Sequence, residues 1–403
     1  MPRYHARETA GERARLEGAA LVLGSATPSL EAYSRCKKGE YVLLRLPARA
    51  GSGALPKVYV EDMRKELRSG NRSILSDRLR TLLQERLDAG QQAMLFLNRR
   101  GYAGFISCRA CGHVIKCPHC DVSLCAHRGG RLVCHYCGYE TAAVRHCPVC
   151  GSPHIGGFRA GTQQIEELVR REFPGARVLR MDADTTRTKD GHEKILSVFG
   201  DGEADILVGT QMIVKGHDFP NVTLVGILAA DMSLYSDDYR SAERTFQLLT
   251  QAAGRAGRGA QAGEVVIQTY SPDHYSIETA ARQDYEAFYE EEMRYRELMG
   301  YPPAAHLLAV LLTGEDEEKL GTAAAYLKEF AARLGASGHL AVIGPASPYV
   351  GKVSDVYRKI LYLKCGKYGM LVKAKDRMEQ YIGLNFGFRD IRVQFDFDPM
   401  SIF

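Results

Sequence analysis

Cys108-Arg109-Ala110-Cys111, Cys117-Pro118-His119-Cys120, Cys134-His135-Tyr136-Cys137 and Cys147-Pro148-Val149-Cys150 follow one another within residues 108–150. These four Cys-x-x-Cys pairs hold eight of the eleven cysteines of the 403-residue chain. Two such pairs can surround one zinc ion with four thiolates in a tetrahedron. The stretch therefore predicts a small module with two four-cysteine zinc sites, inserted into a longer pattern of another kind.

The spacing of the pairs favours one way of dividing the cysteines between the two sites. The gaps between successive pairs are five, thirteen and nine residues. Thirteen is close to zinc-ribbon spacing, which favours an inner site nested within an outer one. The inner site would use Cys117, Cys120, Cys134 and Cys137, and the outer site Cys108, Cys111, Cys147 and Cys150. Consecutive pairing is the alternative, and it would have to close a site across only five residues.

Both zinc sites are expected to be structural. Four thiolates leave no open position on the metal for catalysis. A disulfide framework is the other interpretation of these cysteines, but the N-terminus lacks the apolar core of a signal peptide. Thiols at zinc spacing without an export signal indicate a reducing, cytoplasmic environment.

Composition places the chain among ordinary globular proteins with two or three domains: 25% of its residues are charged and 45% are hydrophobic. The net charge is +5, but residues 352–377 alone carry eight Lys/Arg against two Asp. Such clustering favours a polyanionic partner, and a solvated basic face is the alternative. No apolar run approaches the ~18 residues needed to span a bilayer, so no membrane partner is expected.

Hydrophobic patterning predicts an α/β fold around the cysteine-rich stretch. Strands are predicted at 19–24, 58–60, 92–97, 177–181, 206–208, 224–229 and 263–270, with helices at 75–89, 162–173, 193–199 and 241–253. Strands alternating with helices imply βαβ units and a parallel sheet. Such sheets bind ligands at the carboxyl ends of their strands, where we expect the site. Beyond residue 300 the pattern changes to a smaller α+β domain.

Gln251-Ala252-Ala253-Gly254-Arg255-Ala256-Gly257-Arg258-Gly259 is the second chemical signal. Two arginines three positions apart, held by glycines after a helix, can contact one anion, and guanidinium groups match phosphate oxygens. In nucleoside triphosphatases such an arginine stabilises the charge of the transition state. Taken alone, the segment is equally consistent with a basic surface turn.

The order of motifs around this segment resembles superfamily-2 helicases. Residues 206–220 and the helix before the arginines resemble their motifs V and VI, Ser25-Ala26-Thr27 their motif III, and Gly161-Thr162 the start of their motif IV. Four cysteine pairs between Asn98–Tyr102 and Gly161 narrow the resemblance. From about Tyr4 to Phe403, the chain resembles the C-terminal portion of the primosomal protein N′ (PriA) family, helicases that restart stalled replication forks.

This resemblance implies a domain order. Residues 1–54 would be a remnant of a first helicase lobe, and residues 55–107 with 151–299 a RecA-like second lobe. Residues 108–150 would be an inserted two-zinc module, and residues 300–403 a C-terminal α+β domain. The remnant should expose apolar surface, because most of its own lobe is missing from the 403 residues.

The resemblance also implies an ATP site shared between two lobes, with Mg²⁺ on the first. Arg255 and Arg258 would reach the γ-phosphate, Gln251 would help orient the attacking water, and Gly254 would contact nucleotide. Gly216 and Asp218 would couple nucleotide to DNA during 3′–5′ translocation. Expected partners are single-stranded and forked DNA, single-stranded-DNA-binding protein, and primosome and helicase-loader proteins.

Three departures limit what the resemblance implies. The chain contains no Gly-x-x-x-x-Gly-Lys-[Ser/Thr] phosphate loop and no Asp-Glu-x-His, and Gln163 replaces a usual Glu. We therefore predict that this polypeptide alone hydrolyses ATP at or near background. The alternative is a non-catalytic, zinc-dependent DNA-binding or primosome scaffold protein that retains a relic of a motor lobe.

Overall fold

The computed structural model describes residues 4–46, 55–97, 106–120, 122–127, 130–157, 161–186, 190–213, 219–235, 238–259, 261–335 and 340–400. Contacts divide the chain into two compact units, residues 44–294 and residues 1–43 with 295–403. No helix within these described ranges is both long and apolar enough to cross a membrane.

The N-terminal residues form two helices, α1 (Ala6–Glu17) and α2 (Leu30–Lys37). Ser29 caps α2 by accepting a hydrogen bond from the Ala32 N–H. The strand predicted at 19–24 is wrong, because these residues are exposed and have no strand neighbour within the described part of the chain to satisfy their backbone groups. Val22 is 83% exposed and Leu46 is 94% exposed, so the expectation of exposed apolar surface in this region is confirmed.

Residues 57–299 contain most of the regular elements of the larger unit. In chain order they are β1 (Lys57–Asp62), α3 (Met63–Arg68), α4 (Asp77–Asp88), β2 (Gln92–Leu97), β3 (Ser107–Cys108), β4 (Cys125–His127), β5 (Arg131–Val133), β6 (Glu140–Ala142), β7 (Ile155–Gly156), α5 (Thr162–Glu172), β8 (Val178–Met181), α6 (Gly191–Gly200), β9 (Ile206–Gly209), β10 (Val222–Leu228), α7 (Asp231–Leu234), α8 (Ser241–Ala253), β11 (Glu264–Thr269), α9 (Tyr275–Arg282) and α10 (Tyr285–Met299).

The larger unit is built on a six-stranded sheet in the order β1-β11-β10-β2-β9-β8. Every neighbouring pair is parallel, so the predicted parallel α/β fold is confirmed. β2 is buried along its whole length, as expected of a central strand covered on both faces. Ser76 caps α4 as its sequence position predicts, and Leu79 and Leu83 of that helix lie in the core.

The cysteine-rich module is inserted between β2 and α5. The short antiparallel pair β3–β7 closes its base, and β4, β5 and β6 form a three-stranded antiparallel sheet within it. Because β2 ends at the carboxyl edge of the parallel sheet, the insertion leaves the sheet from that edge. Chain direction therefore determines where the module begins.

The C-terminal part is an antiparallel sheet with two helices. Its elements are β12 (His306–Gly314), α11 (Glu317–Leu334), β13 (Ala341–Ala346), β14 (Lys352–Val353), β15 (Val356–Cys365), α12 (Tyr368–Leu384), a 3₁₀ turn (Phe386–Phe388) and β16 (Arg392–Phe397). The main sheet order is β13-β15-β12-β16, with β14 paired to β15. Helices α11 and α12 contribute to one apolar core with β12 and β15.

The basic residues of β15 start from both faces of the sheet. Arg358 and Lys359 are consecutive in the strand, so their side chains point to opposite faces of the sheet. Lys364 lies 3.4 Å from the ring centroid of Tyr301 and donates to the Met299 carbonyl. Arg358 also donates to the Val350 carbonyl at 3.3 Å, and Lys359 donates to the Ser347 hydroxyl at 2.9 Å, so both side chains contact the segment before β14.

Candidate functional site

The eight paired cysteines come together as two groups of four. One group is Cys108, Cys111, Cys147 and Cys150, and the other is Cys117, Cys120, Cys134 and Cys137. Within each group the sulfur atoms all lie within 4.8 Å of one another. This is the nested arrangement that the thirteen-residue gap favours, and consecutive pairing is not what the structure shows.

The sulfur geometry fits tetrahedral zinc. Sγ–Sγ distances are 3.7 Å for Cys108–Cys150, 3.6 Å for Cys111–Cys147 and 3.6 Å for Cys117–Cys137. Four sulfurs at a zinc–sulfur distance of ~2.3 Å would be about 3.8 Å apart. A disulfide needs about 2.05 Å, so none of these three pairs is bonded.

A repeated backbone turn shapes three of the four Cys-x-x-Cys pairs. The carbonyls of Cys108, Cys134 and Cys147 accept hydrogen bonds from the residue four positions later, which in each case is a glycine with positive φ. These glycines are Gly112, Gly138 and Gly151. The turn holds both thiols of a pair on the same side, as one metal ion requires.

Burial and crowding give the thiols of these groups different pKa values when no metal is bound. Burial raises the pKa of Cys111 to about 12 and that of Cys117 to about 12. A hydrogen bond from Cys120 instead lowers the pKa of Cys134 to about 5. Four thiolates so close together repel one another, and a divalent cation replaces the protons that would otherwise relieve this repulsion.

The zinc module packs on the carboxyl edge of the parallel sheet. A Cβ on Gly112 would lie 2.4 Å from the carbonyl oxygen of Tyr270, which follows β11. The Tyr136 hydroxyl, between two cysteine ligands, accepts a hydrogen bond of 3.2 Å from the Tyr239 N–H, just before α8. The module therefore covers part of the edge where a parallel sheet ordinarily binds its ligands.

Arg255 and Arg258 lie at the opposite, amino edge. The Gly257 N–H donates to the carbonyl of Val222, the first residue of β10, at 3.0 Å. The expectation of a ligand site at the carboxyl ends is therefore wrong for this pair. A segment that leaves a helix and enters a strand must lie at the amino end of that strand, and this one enters β11.

Close backbone packing holds the arginine segment. A Cβ on Gly257 would lie 2.2 Å from the Gly263 nitrogen, and a Cβ on Gly259 would lie 2.5 Å from the Pro220 carbonyl oxygen. Pro220 ends the Lys215–Pro220 motif, so two motifs that are distant in sequence meet at the amino edge. Glycine is required at both positions because any side chain would force the backbones apart.

The predicted nucleotide-facing residues differ in exposure. Gln251 and Arg258 are exposed, and Arg255 is half-buried. The Arg258 Nε donates to the Gly254 carbonyl at 2.9 Å, which ties this side chain to the end of α8. Gly216 and Asp218 lie outside the described residues, so their assignment remains a prediction.

The remaining helicase-like positions are engaged in local structure. Thr162 donates from its hydroxyl to Asp182 at 2.6 Å, and the Gln163 amide donates to Glu167 at 3.1 Å. The Thr27 N–H donates to the Ser25 hydroxyl at 3.1 Å. Gln163 is therefore an exposed residue that pairs within its own helix α5.

Sequence reasoning missed the residues that join the module to the sheet. Tyr136 is completely buried, although it lies between the two cysteines of one Cys-x-x-Cys pair. Asp231 is also buried and accepts hydrogen bonds from the Thr269 hydroxyl and the Tyr270 N–H, while burial raises its pKa. An acid directly after an apolar strand was the only signal for Asp231, and Tyr136 had none.

Three family models match successive parts of the chain. In chain order they are the PriA DNA helicase Cys-rich region domain over residues 117–141, the helicase conserved C-terminal domain over 157–260, and the primosomal protein N C-terminal domain over 297–400. Their order agrees with the order of the motifs read from the sequence.

Curated relatives match nearly the whole chain. The replication restart protein PriA of Bacillus subtilis is 47% identical over 99% of this chain and 50% of its own length. The protein of the same name from Synechocystis is 42% identical over 100% of this chain and 49% of its own. Among solved structures, S. cerevisiae Dbp5 bound to RNA and ADP BeF3 is 12% identical, covers 72% of this chain and 59% of its own, and has a TM-score of 0.33, too low to support any conclusion.

The chain thus spans about half the length of the curated relatives it matches. The three family models and the curated relatives match residues in both units of the chain. These matches are consistent with the paired cysteines and the parallel sheet that the structure shows. The chain belongs to the replication restart protein PriA family and corresponds to a C-terminal portion of its members.

Proposed function

We propose that this chain supplies the second motor lobe, the zinc module and the C-terminal domain of an ATP-dependent 3′–5′ DNA helicase that acts in replication restart. The observation that carries the proposal is the close packing of two motifs at the amino edge of the sheet. There the Gln251–Gly259 segment is packed against the end of the Lys215–Pro220 motif through glycine contacts that admit no side chain. The domain limits predicted from the sequence are part of the proposal.

In this proposal Arg255 and Arg258 act on a triphosphate held by a facing lobe. Bound ATP supplies the phosphoanhydride bond, and Mg²⁺ supplies charge on the facing lobe. The guanidinium groups stabilise negative charge that develops on the γ-phosphate oxygens, an effect of about 10³–10⁵ in rate. Gln251 orients the attacking water, and the rigid turn fixes the direction of both arginines before nucleotide binds.

The two cysteine groups each hold one zinc ion in a structural role. Each closes a fold that has little apolar core of its own, so metal binding contributes directly to folding, by on the order of 10 kcal/mol. The module carries five Lys/Arg against two Asp/Glu, which favours contact with the DNA backbone. Forked DNA, single-stranded-DNA-binding protein and helicase-loader proteins remain proposed partners.

The test compares the chain alone with the chain joined to the part of the Bacillus subtilis relative that precedes the matched region. We expect ATP hydrolysis at background for the chain alone and hydrolysis stimulated by single-stranded DNA for the fusion. Arg255→Ala and Arg258→Ala in the fusion should each lower kcat by about 10³ or more. Lys194→Ala, an exposed change on α6, is the control and should leave kcat unchanged.

Two results would count against this assignment. Robust turnover by the chain alone, abolished by Arg255→Ala, would show that its ATP site is complete. A folded, zinc-loaded fusion that binds DNA but hydrolyses no ATP would favour the alternative, a non-catalytic DNA-binding or scaffold protein. That alternative rests on the absence of a phosphate loop from the 403 residues.

A further inference from the structure

A cleft of about 480 Å³ lies between the zinc module and the carboxyl edge of the sheet. Ligand pockets in proteins typically measure about 300–1,000 Å³, so this one is large enough for part of a nucleotide chain. Its module wall includes Ile115, Leu124, Tyr139 and Val144, and its sheet wall includes Tyr235 and His274. No residue of the Arg255–Arg258 turn lines it.

The inner zinc site fixes the module wall. The Leu124 N–H donates to the Ile115 carbonyl at 2.9 Å, and Lys116 forms a β-bridge with Ser123. The Tyr139 carbonyl accepts a hydrogen bond from the N–H of Cys134, a ligand of the inner site. This wall is therefore formed before any ligand arrives.

Hydrogen bonds also fix the sheet wall. The Tyr235 hydroxyl donates to the Ser271 hydroxyl at 2.8 Å. His274 Nδ1 accepts from the Ser276 N–H and thereby caps α9, so the ring proton lies on Nε2. Burial, followed by the nearby charge of Lys116, lowers the pKa of His274 to about 4. At neutral pH His274 is thus an uncharged hydrogen-bond donor in the wall.

The charge of the cleft suits an anion that carries a flat apolar group. Exposed Lys116 supplies a cation among aliphatic and aromatic side chains. The sequence of the whole module is also basic, with five Lys/Arg against two Asp/Glu. Sites for single-stranded nucleic acid combine these features, because phosphates need positive charge and unstacked bases need apolar or aromatic faces.

We propose that this cleft binds an unstacked base of single-stranded DNA, with Lys116 on the adjacent phosphate. The proposal rests on the proposed function and adds a DNA subsite at the edge of the sheet opposite the arginines. Contacts of the base with the apolar and aromatic side chains would be tolerant of sequence, because these side chains read no hydrogen-bond pattern.

The test uses a 20-nucleotide oligo(dT) carrying 4-thiothymidine at single positions and the full chain loaded with zinc. We expect ultraviolet crosslinks, mapped by mass spectrometry, to Tyr139, Tyr235 or neighbouring cleft residues. Lys116→Ala and Val144→Glu should each weaken binding about ten-fold by fluorescence anisotropy. Lys194→Ala removes the same charge outside the cleft and should change binding less than two-fold.

Zinc content, measured for every variant, distinguishes a local loss of DNA binding from a failure to fold. Val144→Glu provides a second change in the cleft, away from the metal ligands. DNA binding with crosslinks only outside the cleft, or unchanged affinity in both cleft variants, overturns the subsite and leaves the proposed function intact. Absence of any DNA binding by the zinc-loaded chain overturns the subsite and counts against DNA binding by this portion as well.

Discussion

Replacing Gly257 by alanine tests how tightly the arginine turn is held. Gly257 has a φ of +67° and lies where a Cβ would meet the Gly263 backbone nitrogen at 2.2 Å. The left-handed conformation costs an alanine about 1–2 kcal/mol. The clash must also move the Gly257 N–H away from the Val222 carbonyl, at a further cost of about 1 kcal/mol. We expect a total loss of about 2–3 kcal/mol.

Thermal unfolding followed by far-ultraviolet circular dichroism measures this loss. The chain has no tryptophan, so intrinsic fluorescence would report only its tyrosines. For a unit of this size, 2–3 kcal/mol corresponds to a decrease in Tm of about 4–12 °C in saturating zinc.

Gly254→Ala is the matched control on the same turn. Gly254 has right-handed φ and ψ, and its Cβ would meet nothing closer than 3.4 Å. We expect it to leave Tm unchanged or raise it, because alanine restricts the unfolded chain. A decrease below 1 °C for Gly257→Ala, or equal decreases for both variants, would refute the close packing inferred at this edge.

Three further predictions concern the metal sites, the module contact and pH. Cys150 is exposed, whereas three cysteines of the inner group are buried. A thiol reagent should therefore release zinc in two phases, the outer ion first, and Cys150→Ser should remove the fast phase. A single phase would contradict the unequal access of the reagent to the two groups. Tyr136→Phe removes the hydroxyl that accepts the hydrogen bond of the buried Tyr239 N–H. We expect the free energy of unfolding to fall by about 1 kcal/mol and the zinc content to stay unchanged. A loss of zinc instead would place Tyr136 in the metal site. His274, with its pKa of about 4 against an ordinary 6.5, binds fewer protons when folded, so stability should fall as pH drops from 6.5 towards 4. Between pH 7 and 5.5 the wild type should lose about 1 kcal/mol more than His274→Asn, which keeps a capping oxygen, and equal losses would exclude the buried imidazole as the cause.

Local sequence determined much of the fold. The helix predicted at 241–253 and the strand predicted at 92–97 coincide with α8 and β2, because the helix has an amphipathic pattern, the strand is a short, nearly continuous apolar run, and both have clear ends. The four cysteine pairs predicted two groups of four, since few arrangements of eight thiols satisfy tetrahedral geometry.

Two expectations failed because they depended on surroundings rather than on local pattern. Residues 19–24 are apolar enough for a strand, but a strand needs a neighbour for its backbone groups. The general rule for parallel sheets gives the wrong edge for the arginine segment, because the chain passes from α8 into β11 and so reaches the amino end of that strand. The buried Tyr136–Tyr239 contact depends on how the module docks, and nothing in either local sequence specifies it.

The separation of the arginine turn from the zinc module has a mechanical consequence. β10 has seven residues, so at about 3.3 Å each the two edges of the sheet are about 23 Å apart. If this unit turns as a rigid body pivoting near its arginines, a rotation of about ten degrees would carry the opposite edge through about 4 Å. The sheet would then act as a lever arm. A small change at the arginine turn, where we propose that ATP is hydrolysed, would become a displacement comparable to the rise of one base at the zinc module, where we propose that single-stranded DNA binds.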